Sequence, residues 1–170
     1  MIRRAQHSDL AAIMQIVRSA QLALAELHID QWQDGYPTRD IIAFDIERGV
    51  GYVATGPSDN PIGYAAILLS EEPAYRQIAD SRWNTPNDYV VVHRLCVRSE
   101  ARRLGVAQQL MEYAMRHAVA KGIRAFRIDT HEGNIRMISM LHKLGFEPRG
   151  IVRYESGQRI AYDLNIKDKD

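Results

Sequence analysis

One cysteine, Cys96, is all that this 170-residue chain offers. A single thiol excludes an internal disulfide framework and favours a reducing compartment. An excess of charge of one sign is missing as well. Lys and Arg number 22 against 21 Asp and Glu, a formal net charge of +1. With no global field, the chain is not built to gather nucleic acid or an anionic membrane surface. No apolar run approaches the length of a membrane span, and the first residues, Met1 to Asp9, lack the apolar core of a signal peptide. His, Asp and Glu show no metal-ligand spacing, so no metal is expected. What remains, 46% apolar and 25% charged residues, is ordinary for a globular protein. The length suits one domain over residues 1–170 with a sizeable core. A soluble domain in the cytoplasm is the expectation.

Along the chain, Ile2 to Ala5 suits a short first strand, and Ser8 offers a hydroxyl to cap a helix. Leu10, Ile13, Val17, Ala20, Leu24 and Leu27 recur at helical spacing, which predicts a helix to about Leu27. A turn-rich aromatic stretch from His28 to Pro37 follows. Thr38 then suits the cap of a second helix over Asp40 to Arg48, closed by Gly49. Val50 to Ala54 and Ile62 to Leu69, joined by Gly56 to Pro61, predict an antiparallel hairpin. Glu71 to Asn87, with two prolines, Tyr75 and Trp83, predicts an irregular excursion holding one helical turn.

Tyr89 to Val97 is the longest strand candidate, β-branched and continuous enough for a central position. A helix from near Leu104 ends before Gly122, a strand runs from Ala125 to Thr130, and a helix spans Asn134 to Leu144 before Gly145. Phe146 to Val152 and Arg159 to Ile166 predict a last strand pair, and Lys167 to Asp170 a frayed tail. The order β-α-α-β-β-β-α-β-α-β-β argues for a mixed sheet with helices on both faces.

Between the long strand and the third helix lie Arg102, Arg103, Leu104, Gly105, Val106 and Ala107. Basic residues, a glycine and a small residue at a helix start can form a phosphate cradle. The first N–H groups of the helix lack intrahelical acceptors and point at an anion, with the positive end of the macrodipole behind them. An ordinary strand-to-helix turn would carry the same residues.

The element order and three motifs together resemble the GNAT superfamily of N-acetyltransferases. Its Arg/Gln-x-x-Gly-x-Gly/Ala signature is matched by Arg102, Gly105 and Ala107. Leu95 and Val97 match the Leu-x-Val ending the preceding strand, and Asn134, Gly145 and Phe146 match the downstream pattern. The resemblance implies an α/β mixed GNAT fold. Its central, mostly antiparallel sheet has about seven strands and splays between the fourth and fifth.

It also implies acetyl-CoA as cosubstrate, held by Arg102, Arg103, Leu104, Gly105, Val106 and Ala107 at the pyrophosphate. Leu95, Cys96 and Val97 would lie along the pantetheine arm, which Asn134 would also reach. A backbone N–H at Cys96 or Val97 would polarise the thioester carbonyl. The implied reaction is direct attack of a primary amine, on a small molecule or a peptide, within a ternary complex. Many relatives pair as homodimers, so a homodimer is one option for this chain.

An amine attacks only as the free base, so the site needs a proton acceptor. His93 lies in the fourth strand, where histidines act as base in the arylalkylamine branch of the superfamily, and its ordinary pKa suits the task. The acid is harder to place, because Leu141 occupies the position of the family's usual tyrosine. Tyr162 is the first candidate in its stead, with Tyr154 and Tyr113 behind it. Cys96 is expected to be a small apolar strand residue rather than a nucleophile. Trp32 and Tyr36, in the loop between the first two helices, are the candidate acceptor wall, where aromatic faces would suit an ammonium. The missing tyrosine keeps a second reading open, a non-catalytic acyl-CoA-binding or sensing domain of the same fold. A P-loop nucleotide site lacks its Gly-Lys-Ser/Thr.

Overall fold

Strands and helices follow the expected order in the computed structural model, which describes residues 1–167. The tail expected beyond Lys167 lies outside the described residues. The strands are β1 (Ile2–Arg4), β2 (Gly51–Thr55), β3 (Pro61–Leu68), β4 (Tyr89–Val97), β5 (Ala125–Thr130), β6 (Glu147–Tyr154) and β7 (Gly157–Asn165). The helices are α1 (Leu10–Glu26), α2 (Arg39–Glu47), α3 (Val106–Val119) and α4 (Ile135–Lys143). The seven strands hydrogen-bond in the order β1-β2-β3-β4-β5-β7-β6. The β1–β2, β2–β3, β5–β7 and β6–β7 ladders are antiparallel, whereas β4–β5 is parallel. That parallel ladder covers only Tyr89–Val91 against Ala125–Arg127.

The chain divides into two compact units, Met1–Leu68 with Val92–Tyr113, and Leu69–Val91 with Ala114–Asp170. In the first, Leu10, Ile13, Ile16 and Val17 of α1 meet Ile42 and Ile46 of α2, Val53, Tyr64 and Cys96. Each such aliphatic side chain contributes about 1.5–3 kcal/mol by leaving water. The α1 stripe is shorter than its periodicity suggests, since Leu27 is exposed. Ser8 is not the cap. It lies within a 3-10 turn, His7–Asp9, where the Asp9 carboxylate accepts the Gln6 N–H at 2.8 Å. Thr38 does cap α2, its hydroxyl accepting the Ile41 N–H at 3.3 Å.

In the second unit Phe126 meets Phe146 edge-on at 5.0 Å, among buried Val90, Ile128, Leu141, Val152 and Ala161. The excursion before β4 holds a 3-10 turn, Pro73–Arg76, and is pinned along its length. Ala79 exchanges two backbone bonds with Ile151 of β6, and Gly150 admits the Ala79 carbonyl where any Cβ would overlap it. The Trp83 and Tyr89 rings sandwich the Arg127 guanidinium at 4.6 and 4.3 Å. Asp163, 1% exposed, accepts the Asn84 N–H and the Arg149 guanidinium, each at 2.7 Å. The excursion expected to be irregular is therefore irregular but fastened.

Candidate active site

The segment linking β4 to α3 carries two left-handed residues, Arg103 at φ 66° and Gly105 at φ 76°. Alternating the backbone in this way turns successive N–H groups toward one side just before the free N–H groups of α3's first turn. The Gln109 N–H, bonding the Gly105 carbonyl at 2.9 Å, begins the helical ladder. A Cβ at Gly105 would have only Gln109 Nε2 near it, at 3.9 Å, so glycine is required here by φ rather than by packing. A larger side chain would project into open space at the mouth of the segment. Leu104, 67% exposed, and Arg103 stand out from it. Arg102 is engaged elsewhere, its Nη2 donating to the Ser19 carbonyl at 2.9 Å and to Ser19 Oγ at 3.1 Å. It staples the loop to α1. Gly63 of β3 brings that strand against α3, since a Cβ there would meet Val106 Cγ1 at 2.8 Å.

Along β4, His93, Leu95 and Val97 are half-buried and Cys96 is buried. Burial pushes the Cys96 thiol up to about 12, so at neutral pH it is a thiol and not a thiolate nucleophile. Arg94 breaks the strand's regularity with φ 56°. Its Nε and Nη2 each donate at 2.7 Å to Asp45 of α2, and its Nη1 donates to the Tyr36 hydroxyl oxygen at 2.8 Å. Asp45, 1% exposed, also accepts the Tyr64 hydroxyl at 2.8 Å. Burial raises the Tyr64 hydroxyl pKa well above its ordinary value, and the charge of Asp45 adds to that shift. A β-branched strand interrupted by a left-handed arginine needs such an anchor, and Asp45 provides it.

Tyr36 thus belongs to a buried polar network as well as to the α1–α2 loop. Its ring lies 6.3 Å from that of Trp32, which packs against the first unit's core. The network escaped the reading of the sequence, although two signs pointed to it. Arg94 sits inside an apolar strand, and Asp45 falls on the buried face of α2 with Ile42 and Ile46.

In the second unit, Asn134 caps α4 through Oδ1, which accepts the Met137 N–H at 3.3 Å and leaves the amide nitrogen out of that bond. His131 Nδ1 accepts the Gly133 N–H at 2.9 Å and so shapes the turn into α4. Leu141 is fully buried. Tyr162, 3% exposed, sits on β7 opposite Ile128 and Pro148, its ring 5.9 Å from that of His142. Burial raises its hydroxyl pKa, so it is protonated at neutral pH. Tyr75 and Tyr154 each donate a hydroxyl to Asp129 Oδ2 at 2.7 Å. With that proton committed, Tyr154 is a poor candidate for the acid. Among the described residues, no group of His, Cys, Asp and Glu could hold a metal ion, and no helix is long and apolar enough to cross a membrane.

Three comparisons bear on this arrangement. The model of the Acetyltransferase (GNAT) family matches residues 21–146. A GNAT-family acetyltransferase from Streptococcus agalactiae superposes with a TM-score of 0.90 at 33% identity, over 99% of this chain and 96% of that one. An N-acetyltransferase, PaiA, from Thermoplasma acidophilum, solved with coenzyme A, superposes with a TM-score of 0.73 at 18% identity, over 97% and 98% of the two chains, and shares the fold. Among curated proteins, streptothricin acetyltransferase of Escherichia coli is 25% identical over 100 residues. That match covers 59% of this chain and 56% of the relative, so the chain spans little more than half of the curated protein it matches.

Proposed function

The chain belongs to the GNAT family of acetyltransferases, and from that premise we propose that residues 1–170 form one N-acetyltransferase domain. It moves the acetyl group of acetyl-CoA to a primary amine, by direct attack in a ternary complex in the cytoplasm. The observation that carries this reading is the Arg103–Ala107 segment. Two left-handed residues there precede a helix start whose glycine faces open space. The residues fit a pyrophosphate: backbone N–H groups, a helix dipole, exposed Arg103 and the charge of Arg102.

Leu95, Cys96 and Val97, in the half of β4 beyond its ladder with β5, hold the pantetheine amides, and Asn134 adds its free amide nitrogen. A backbone N–H at Cys96 or Val97 polarises the thioester carbonyl. His93 takes the proton of the attacking amine, and Tyr162 supplies one to the departing sulfur. Trp32 and Tyr36 line the acceptor side. The acceptor is a small-molecule or peptide amine.

Gly105→Trp tests the cradle. Titration calorimetry should show acetyl-CoA binding weakened roughly a hundredfold, about 2.7 kcal/mol, in a protein that keeps its circular dichroism. Unchanged affinity sinks the assignment. Amine-dependent release of free CoA then separates an enzyme from the acyl-CoA-binding sensor that fully buried Leu141 would suit. In the same assay His93→Ala should lower turnover on the order of a hundredfold.

A further inference from the structure

Two tyrosines meet the Arg94–Asp45 ion pair in the first unit, and they use it in opposite ways. The Tyr64 hydroxyl donates its proton to Asp45 at 2.8 Å, so that proton is committed. Arginine only donates, so in the 2.8 Å contact between Arg94 Nη1 and the Tyr36 hydroxyl the tyrosine is the acceptor. The Tyr36 proton is turned elsewhere, and among the described residues it meets no acceptor.

Tyr36 is held at three points. Its N–H donates to Asp34 Oδ1 at 3.2 Å, its carbonyl accepts Gln21 Nε2 at 2.9 Å, and its hydroxyl oxygen accepts Arg94. Arg94 is fixed in turn, with Nε and Nη2 each at 2.7 Å from Asp45. In the same loop Trp32, edge-on to the Tyr36 ring, takes φ 66°, and His28 takes φ 56°. Left-handed backbone at a bulky residue is costly and gathers at sites that bind or react. A hydroxyl so placed on a half-buried side chain, with its proton uncommitted, is a donor made ready for a ligand. The guanidinium on its oxygen strengthens that donor, because hydrogen bonds in a chain polarise one another. Its complement is an oxygen, not an ammonium, which has only protons to offer. All of these residues belong to the unit that also holds His93, the neighbour of Arg94 in β4.

We propose that the Tyr36 hydroxyl donates a hydrogen bond to an oxygen of the acceptor, so that the preferred amine carries a carbonyl or carboxylate as well as its amino group. This rests on the acetyltransferase reading above. In it Tyr36 selects the acceptor, Arg94 is the positioning residue behind it, and proton removal stays with His93.

The experiment gives the wild-type protein and Tyr36→Phe two matched sets of amines in the CoA-release assay. One set is phenylalanine, phenylalaninamide and phenethylamine, and the other is alanine, alaninamide and ethylamine. In each the first member carries a carboxylate, the second a carbonyl and the third neither. Absence of release by the wild-type protein with every amine overturns the enzyme reading and this inference with it. If the wild-type protein turns over, kcat/KM for an oxygen-bearing amine relative to its oxygen-free partner should fall about tenfold in the variant, through KM. Whether the acid or the amide shows that fall tells which oxygen is read. A ratio equal to that of the wild type, a loss of kcat shared by all members, or turnover of the oxygen-free members alone overturns the inference and leaves the enzyme reading intact. Should the variant fail to fold, the wild-type protein decides. With rates referred to the free-base concentration, the oxygen-free amine should be the poorer of its set by about fivefold or more, and an equal or better rate overturns the proposal.

Discussion

Asp45 and Asp129 are each approached by a tyrosine hydroxyl within 2.8 Å, and there the likeness ends. Asp45 is saturated, with Arg94 bound to both of its oxygens and Tyr64 to one of them in a setting 1% exposed. Asp129 is half-buried, with one oxygen doubly bonded by hydroxyls and the other taking neither of those bonds. A carboxylate matched with an arginine has finished its electrostatics inside the protein, and its work is to hold β4 at an unusual φ. A carboxylate oriented by neutral donors keeps its charge unpaired. The same residue type thus neutralises an arginine in one unit and is held by hydroxyls alone in the other.

The sharpest way to break this comparison is to remove the cations and hydroxyls one at a time. Arg94→Ala leaves the Asp45 carboxylate buried with only Tyr64, and unfolding by urea should show a loss of about 3–5 kcal/mol. Asp45→Ala should cost a similar amount, and the double variant far less than the sum, because the two residues act as one unit. Asp129→Asn orphans no charge, since its tyrosines keep an amide oxygen to donate to, and should cost only about 1 kcal/mol. Equal losses at the two sites would show that Asp129 is as structural as Asp45 and would remove the contrast.

How far these sites could be read from sequence follows from the distance between partners. The strand-to-helix segment before α3 was legible because its residues are contiguous, and β4 and β5 have the bounds that their apolar runs predict. The resemblance that placed Leu95, Gly105 and Asn134 in order rests on the same local spacing. The Arg94–Asp45 and Tyr75–Asp129 bonds join residues 49 and 54 positions apart, which no periodicity registers. A charged residue in an apolar pattern signals only that a partner must exist, without saying which. Ser8 shows the same limit at short range. The cap it offers is chemically sound, but Asp9 accepts the Gln6 N–H and is held in turn by Arg3 at 2.7 Å, a longer-range support that tips the choice. The role of Trp83 was hidden for the same reason, since its stacking partner Arg127 lies on β5, 44 positions further along the chain.

The smallest effect is the alkaline one, and it tests what the two sites share. Burial raises the hydroxyl pKa of Tyr64, Tyr75 and Tyr154 above the ordinary 10.0, with the neighbouring aspartate adding to each shift. Burial raises Cys96 from 9.0 to about 12. In each case the folded protein holds a proton that the unfolded chain gives up sooner. The stability these groups contribute is fully present below the unfolded values and is lost as pH rises through them toward the folded ones. Urea midpoints should therefore be flat up to about pH 9 and fall above it, the thiol acting first and the tyrosines from about pH 10. Tyr154→Phe should make that fall shallower, because the unfolded chain then has one hydroxyl fewer to ionise. It removes one donor from Asp129 and leaves the other, Tyr75, in place, so the midpoint near neutral pH should drop by less than with Arg94→Ala. Tyr64→Phe should act alike at high pH, because Arg94 still satisfies Asp45. A midpoint that rises above pH 10, or a Tyr154→Phe curve as steep as wild type, would mean that these hydroxyls do not keep their protons in the folded state. Asp129 would then lack the fixed donors that hold it.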